Sequence, residues 1–257
     1  MTQTLDLTGK KGLVVGIAND QSIAYGCAKH CRAYGADLAV TYLNEKADKW
    51  VRPLAEGLGA SLVLPCDVRE PGQLEATFAA IEKEWGRLDF VIHSIAYADK
   101  DDLHGRVTDC SQDGFALAMD VSCHSFIRMA KLAEPLMTDG GCLMTVTFYG
   151  SRKVVEHYNV MGPVKAALET ATKYMAHELG PKGIRVLALS PGPLKTRAAS
   201  GIDRFDELME QAAAKAPTHQ LATIDDCGSM AAFLVSDLAR AVTGTTIFID
   251  GGYHIVG

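Results

Sequence analysis

Gly12-Leu13-Val14-Val15-Gly16-Ile17-Ala18-Asn19-Asp20-Gln21-Ser22-Ile23-Ala24-Tyr25-Gly26 joins an apolar run to a polar turn and then to the start of an amphipathic segment. The apolar run is short and β-branched, as a strand covered on both faces must be. A strand, a glycine-bearing turn and a helix N-terminus form the arrangement in which backbone N–H groups meet a dinucleotide pyrophosphate. The usual Gly-x-Gly-x-x-Gly is absent. Gly16 and Gly26 instead flank an insertion, with Ser22 placed to cap the helix or to donate its hydroxyl to a phosphate. An ordinary strand-to-helix connection would read the same way, so the remainder of the chain must decide.

The alternation continues outward. The pattern predicts strands at 12–17, 37–42, 61–65, 89–93, 142–148, 184–190 and 245–250. Helices are predicted at 22–34, 46–58, 72–85, 112–137, from near His157 to 179, at 205–215 and at 224–235. Strand-helix succession of this kind builds parallel βαβ units. The expected fold is a single doubly wound α/β domain of Rossmann type over residues 1–257, with about seven parallel strands and helices on both faces. No repeat, low-complexity tract or linker interrupts it.

With 257 residues, 48% hydrophobic and 22% charged, the chain can bury one large core. A net charge of -6 argues against a nucleic-acid or anionic-membrane surface. No apolar run reaches the roughly 18 residues that span a bilayer, and the N-terminus lacks the pattern of a signal peptide, so a cytoplasmic location is expected. The 7 cysteines are scattered and odd in number, which fits reduced thiols. No spacing suited to a metal appears, and His30, His157 and His254 read as surface or hydrogen-bonded residues.

Ligands of doubly wound sheets bind outside the carboxyl ends of the strands. Cys66-Asp67-Val68 ends the third strand, where a carboxylate and a backbone N–H suit an adenine edge. Ser94-Ile95-Ala96 ends the fourth with residues small enough for a ribose to approach. Pro191-Gly192-Pro193-Leu194-Lys195-Thr196 ends the sixth, where a rigid turn and a hydroxyl suit a carboxamide. Asp67 capping a helix and Thr196 starting one are plainer alternatives, but four such ends on one edge favour a nucleotide. At the second strand end, Tyr42-Leu43-Asn44-Glu45-Lys46 offers no acid directly, and Glu45 and Lys46 point opposite ways; the balance favours NADH over NADPH.

Chemistry concentrates at Tyr149 to Lys165. A phenol is a neutral donor at pH 7, and a nearby ammonium can hold a cofactor ribose while making that phenol a better acid. Tyr25/Lys29, Tyr42/Lys46 and Tyr149/Lys153 fit Tyr-x-x-x-Lys, whereas Tyr158 and Lys165 stand seven apart. Tyr25 lies inside the first helix and Tyr42 on the far side of a nucleotide fold. Tyr149 follows a strand directly, without a helix to bring Lys153 onto its face, while positions seven apart on a helix are two turns apart and nearly in line.

Gly16 with Ser22-Ile23-Ala24-Tyr25-Gly26, Cys66-Asp67-Val68, His93-Ser94-Ile95-Ala96, Tyr149, Tyr158-Asn159-Val160-Met161-Gly162 with Lys165, and Ala198-Ala199-Ser200-Gly201-Ile202 resemble the bacterial enoyl-acyl-carrier-protein reductases of the FabI type, a divergent branch of the short-chain dehydrogenases. The resemblance runs in order over nearly the whole chain. It implies NAD(P)H-dependent reduction of a trans-2-enoyl thioester in fatty-acid elongation, usually by a homotetramer. By that resemblance Tyr158 binds the thioester carbonyl, Lys165 binds the nicotinamide ribose, and Tyr149 lines the acyl site as a second tyrosine. Gly16, Ser22, Ile23, Leu43, Asp67, Val68, Ser94, Ile95, Ala96, Leu194, Thr196 and Ala198 would meet the cofactor. Ala98, Met161, Ala199, Phe205 and Leu208 would meet substrate, the last three on a substrate-binding loop and helix at 194–215. A helix packed on the core accounts for that last segment equally well.

The wider spacing also has a chemical reason. In ketone reduction the oxygen that needs an acid is bonded to the carbon receiving hydride; in an enoyl thioester it lies two carbons further on. A hydride to C3 develops an enolate on the thioester oxygen, which Tyr158 would stabilise. Three departures accompany the resemblance. Pro163 lies inside the predicted helix, at a cost of about 3 kcal/mol unless that helix starts late or kinks. Tyr149 and Tyr158 are nine apart, one closer than is common. Asp203, Asp206 and Glu207 stand where basic residues for an acidic carrier are expected, which leaves a coenzyme A thioester open. The alternatives are a ketone reductase using Tyr149-x-x-x-Lys153 and a catalytically silent nucleotide-binding protein.

Overall fold

A computed structural model describes residues 4–196 and 204–256. Strands β1 (Lys11–Val15), β2 (Asp37–Tyr42), β3 (Leu62–Pro65), β4 (Phe90–His93), β5 (Gly141–Val146), β6 (Ile184–Pro191) and β7 (Thr246–Ile249) form one sheet. Their order is β3-β2-β1-β4-β5-β6-β7, and the ladders are parallel throughout. The order reverses between β1 and β4, which opens the crevice where such sheets take ligands. The single α/β domain of seven parallel strands follows the expectation from sequence.

Alternate residues of each strand feed two separate cores, as the two-residue period requires. Leu13, Val15, Val91 and Leu143 pack against α3 (Gln73–Trp85), α6 (Ser125–Ala133) and α7 (Met161–Leu179). Val14, Leu38, Ile92 and Met144 pack against α1 (Ile23–Ala33), α2 (Glu45–Gly57) and α9 (Ile224–Val235). Helices α1 and α9 touch backbone to backbone. A Cβ on Gly26 would lie 2.2 Å from the Ile224 carbonyl oxygen, and one on Gly228 would lie 2.3 Å from the Gly26 carbonyl oxygen.

Two expectations need correction, and one helix is unexpected. The helix predicted over 112–137 is α5 (Gln112–Met119), a π turn (Asp120–His124), α6, and a closing 3₁₀ turn (Glu134–Leu136). The wide π turn brings Ser122 Oγ onto both backbone groups of Tyr97, accepting from its N–H at 2.9 Å and donating to its carbonyl at 3.0 Å. A short α4 (Lys100–His104) precedes it, in a stretch with no helical period to announce it. The helix predicted from near His157 begins at Met161, because His157 and Asn159 take φ of 64° and 42°, in the left-handed region.

The late start settles Pro163. It stands third in α7, where the missing N–H has no intrahelical acceptor to lose. Pro163→Ala is expected to shift stability by less than about 1 kcal/mol and to leave turnover unchanged. Thermal unfolding checks the first expectation and a kcat measurement the second.

Candidate active site

Gly16 follows β1 directly with φ 113°, and a Cβ there would lie 2.1 Å from the Ser94 carbonyl oxygen, so glycine lets the ends of β1 and β4 close on each other. The following turn is tied by Ser22. Its hydroxyl makes no bond to the first turn of α1; it accepts from Ala18 N and Asn19 N, each at 3.0 Å, and donates to Asn19 Oδ1 at 3.1 Å. Ile23 opens α1. Asp67 and Val68 are buried at the end of β3. The Arg69 guanidinium grips the Asp67 carboxylate at 3.0 and 2.7 Å and, above all other causes, holds its carboxyl below the usual range. Leu43 is 49% exposed at the end of β2. Ser94 and Ile95 are half-buried and Ala96 is exposed after β4, while Leu194 and Thr196 are half-buried after β6. Ala198 and Ala199 lie outside the described residues.

Tyr158 is 8% exposed, on the turn that leads into α7. Burial, and then the charge of Glu169, push its phenol well above the ordinary value, so it stays protonated as a donor. Lys165, the fifth residue of α7, is 4% exposed, and its ammonium donates to the Val146 carbonyl at 2.8 Å, at the carboxyl end of β5. Burial brings Lys165 down to about 8, against opposing contributions from Cys123 and Glu169. Ser190 Oγ, at the same end of β6, is buried with no hydrogen-bond partner among the described residues. A lysine with room for further acceptors and an orphaned hydroxyl on one sheet edge suit the hydroxyls of a nucleotide ribose.

Tyr149 is buried in the same apolar cluster as Tyr158, but its ring meets Tyr253 at 5.5 Å and its face looks at Lys153 Nζ, 6.0 Å from the centroid. Lys153 is thus a cation over a ring. The ring set edge-on against Tyr158, at 4.9 Å, belongs to Phe148. Tyr158, Val155, Val160 and Met161 form the wall of this cluster, with Ala98, Leu103 and Leu208 packed on it. Phe205 is half-buried at the first position of α8 (Phe205–Lys215).

Residues 16–254 match the family model described as Enoyl-(Acyl carrier protein) reductase. The chain belongs to the enoyl-acyl-carrier-protein reductase family. It is 46% identical over 251 residues to enoyl-[acyl-carrier-protein] reductase [NADH] 1 of Rhizobium meliloti, covering 98% of this chain and 92% of that one. A crystal structure of the enoyl-acyl-carrier-protein reductase of Anaplasma phagocytophilum in complex with NAD has TM-score 0.95 and 47% identity, covering 100% of this chain and 98% of that one. The Bacillus cereus reductase with NADP+ and indole naphthyridinone has TM-score 0.96 and 45% identity, with coverage of 98% and 99%.

Within this reductase several residues near the site make contacts for which the sequence carries no signal. Asn159, left-handed between Tyr158 and α7, donates from Nδ2 to the Leu103 carbonyl at 2.7 Å and so ties α4 to the tyrosine. His93 is fully buried between Thr145 Oγ1 and Ser125 Oγ, both at 2.8 Å, and burial, with the Lys165 charge second, takes it down to about 3. Glu169, one turn beyond Lys165, is buried on α7. No helix of the described residues is long and apolar enough to cross a membrane, and no group of metal-ligating side chains occurs among them.

Proposed function

We propose that this reductase uses NADH to reduce the C2–C3 double bond of a trans-2-enoyl thioester on acyl carrier protein, in fatty-acid elongation. The observation that carries this reading is the separation of two buried groups about one helix start: a neutral phenol at Tyr158 on the turn before α7 and an ammonium at the sheet edge on Lys165, the fifth residue of α7. That separation suits an acid for an oxygen displaced from the hydride acceptor. NADH supplies the hydride when bound.

Lys165 holds the nicotinamide ribose, with Ser190 beside it. Gly16, Ser22 and Ile23 receive the pyrophosphate, Leu43, Asp67 and Val68 the adenosine, Ser94, Ile95 and Ala96 the second ribose, and Leu194, Thr196 and Ala198 the carboxamide. Tyr158 donates to the thioester oxygen as enolate charge grows, in a wall dry enough to make that bond count. Tyr149, Met161, Ala98, Leu208, Phe205 and Ala199 bound the acyl chain, the last three on a loop and helix at 194–215. Assembly as a homotetramer in the cytoplasm completes the proposal. Loss of NADH absorbance on adding enoyl thioesters supports it; turnover with ketones alone would overturn it.

One observation favours a second carrier. Lys195 pairs with Asp206 at 3.0 Å and Arg204 with Glu207 at 3.9 Å, so these cations are matched by acids of their own segment rather than offered to an acidic protein. Matched coenzyme A and carrier-protein thioesters of one chain length decide between the two.

The ammonium form of a base at about 8 is present below that pH and lost above it. The affinity for NADH is therefore expected to fall about three- to tenfold between pH 7 and pH 9. Fluorescence titration of the nucleotide across that range measures it.

A further inference from the structure

The side chain with the most unexplained hydrogen bonds near the site is Glu169, a carboxylate only 6% exposed. Its Oε1 accepts from Thr147 Oγ1 at 3.0 Å and Ser151 Oγ at 2.5 Å, and its Oε2 from Arg152 Nε at 3.2 Å. The three donors bracket one turn. Thr147 and Ser151 stand on either side of Phe148, Tyr149 and Gly150, and Phe148 is the ring set against Tyr158. The turn fits the tyrosine closely, since a Cβ on Gly150 would lie 2.5 Å from Tyr158 Cδ1. Arg152 continues the chain of contacts outward, its guanidinium 4.8 Å over the Phe248 ring, which stacks on His254.

We propose that Glu169 is a positioning residue for the Tyr158–Lys165 pair, its carboxylate holding the 147–152 turn and the Phe148 ring against the tyrosine from one helical turn beyond the lysine. The proposal rests on the enoyl-reductase reading of those two residues. Burying a carboxylate costs several kcal/mol before its partners repay it. A glutamine could accept from the two hydroxyls but would turn an amide N–H toward the Arg152 guanidinium, so the Arg152 pair already calls for a carboxylate. The groups that face Lys165 supply a second reason. Cys123 on the π turn is held as a thiol by burial, His93 on β4 is neutral, and the Tyr158 phenol is neutral. Glu169, itself paired with Arg152, is then the acidic side chain among the groups that act on the ammonium, and it favours the charged form.

The test compares Glu169→Gln and Glu169→Asp with the parent enzyme, reading kcat with an enoyl thioester from pH 6 to pH 10, the NADH Kd and thermal unfolding. Glu169→Gln is expected to lower kcat about 10- to 100-fold and to move the alkaline limb to lower pH, with the NADH Kd at pH 6 within about threefold. Glu169→Asp should recover at least part of the rate and return the limb toward its parent position. A Glu169→Gln enzyme with parental kcat and limb overturns the proposal, as does a lowered melting temperature with the limb unmoved. Ser151→Ala loosens the turn but keeps the charge. It should cost about three- to tenfold in kcat with the limb in place, and unchanged kcat would count against the turn's role. Should the parent bind NADH without reducing enoyl thioesters, the function reading fails. The alkaline limb of NADH binding then judges Glu169: a shift in Glu169→Gln supports its role, and none overturns it.

Discussion

Tyr158→Phe lowers kcat for an enoyl thioester about 10²- to 10³-fold and leaves the NADH Kd within about twofold. The substitution removes one hydroxyl from a wall of Val155, Val160 and Met161 and keeps the ring that Phe148 meets edge-on. The pocket keeps its shape, and what is lost is the donor that meets the enolate oxygen. Lys165 is untouched at its own bond to Val146, so the cofactor side is preserved. Because the parent phenol lies well above its ordinary value, no phenolate limb belongs in the neutral pH range. Steady-state kinetics at saturating NADH and a nucleotide titration test both halves. Unchanged kcat would refute the role of the phenol, and a large loss of NADH affinity would show the ring to be part of the cofactor site.

Gly26→Ala is the substitution expected to cost most in stability, about 3 kcal/mol, or roughly 6–12 °C in melting temperature for a chain of this length. In an exposed helix the same change would be favourable, because alanine is the better helix former. Here the added methyl carbon would lie 2.2 Å from a backbone carbonyl oxygen of α9, which cannot swing aside as a side chain can. The helices must separate, and α1 carries Ala24, Cys27, Ala28 and Cys31 into the same core. Gly57→Ala is the control. Nothing lies within 4 Å of a Cβ there, and the change should be neutral or slightly stabilising. Differential scanning calorimetry of the pair separates packing from propensity; equal melting temperatures would discount the contact.

The two-residue and helical periods of the sequence are sufficient for the sheet and for α8 and α9, whose bounds fall where the apolar pattern stops. They are insufficient where tertiary partners choose the backbone. The π turn at Asp120–His124 forms around a Ser122 hydroxyl that serves Tyr97, a residue remote in sequence. The start of α7 is delayed by left-handed His157 and Asn159, and the amide of Asn159 is spent on Leu103. At the site, Tyr158 and Lys165 stand out in the sequence as two residue types at a fixed spacing, but the helical geometry expected for that spacing does not hold, because Tyr158 precedes α7 and a left-handed Asn159 intervenes. The neighbour of Tyr158 is less legible. The resemblance places Tyr149 at the acyl site; the turn after β5 sets Phe148 edge-on against Tyr158 and faces the Tyr149 ring toward Tyr253, with both tyrosines in one apolar cluster. Glu169 acts through hydroxyls on a different element, and no local pattern marks such a partnership.

The contact between α1 and α9 also bears on how the protein comes to be folded. Cys27 and Cys227, at its centre, are 200 positions apart in the chain. The helix that opens the nucleotide crevice is among the first made, yet the side of it that meets α9 has no cover until α9 has been synthesised. A contact that closes so long a loop is paid for late in folding, after the local βαβ units have formed. During synthesis the early units therefore leave the ribosome with an apolar helix face open to water. That is the period in which transiently exposed apolar surface favours aggregation.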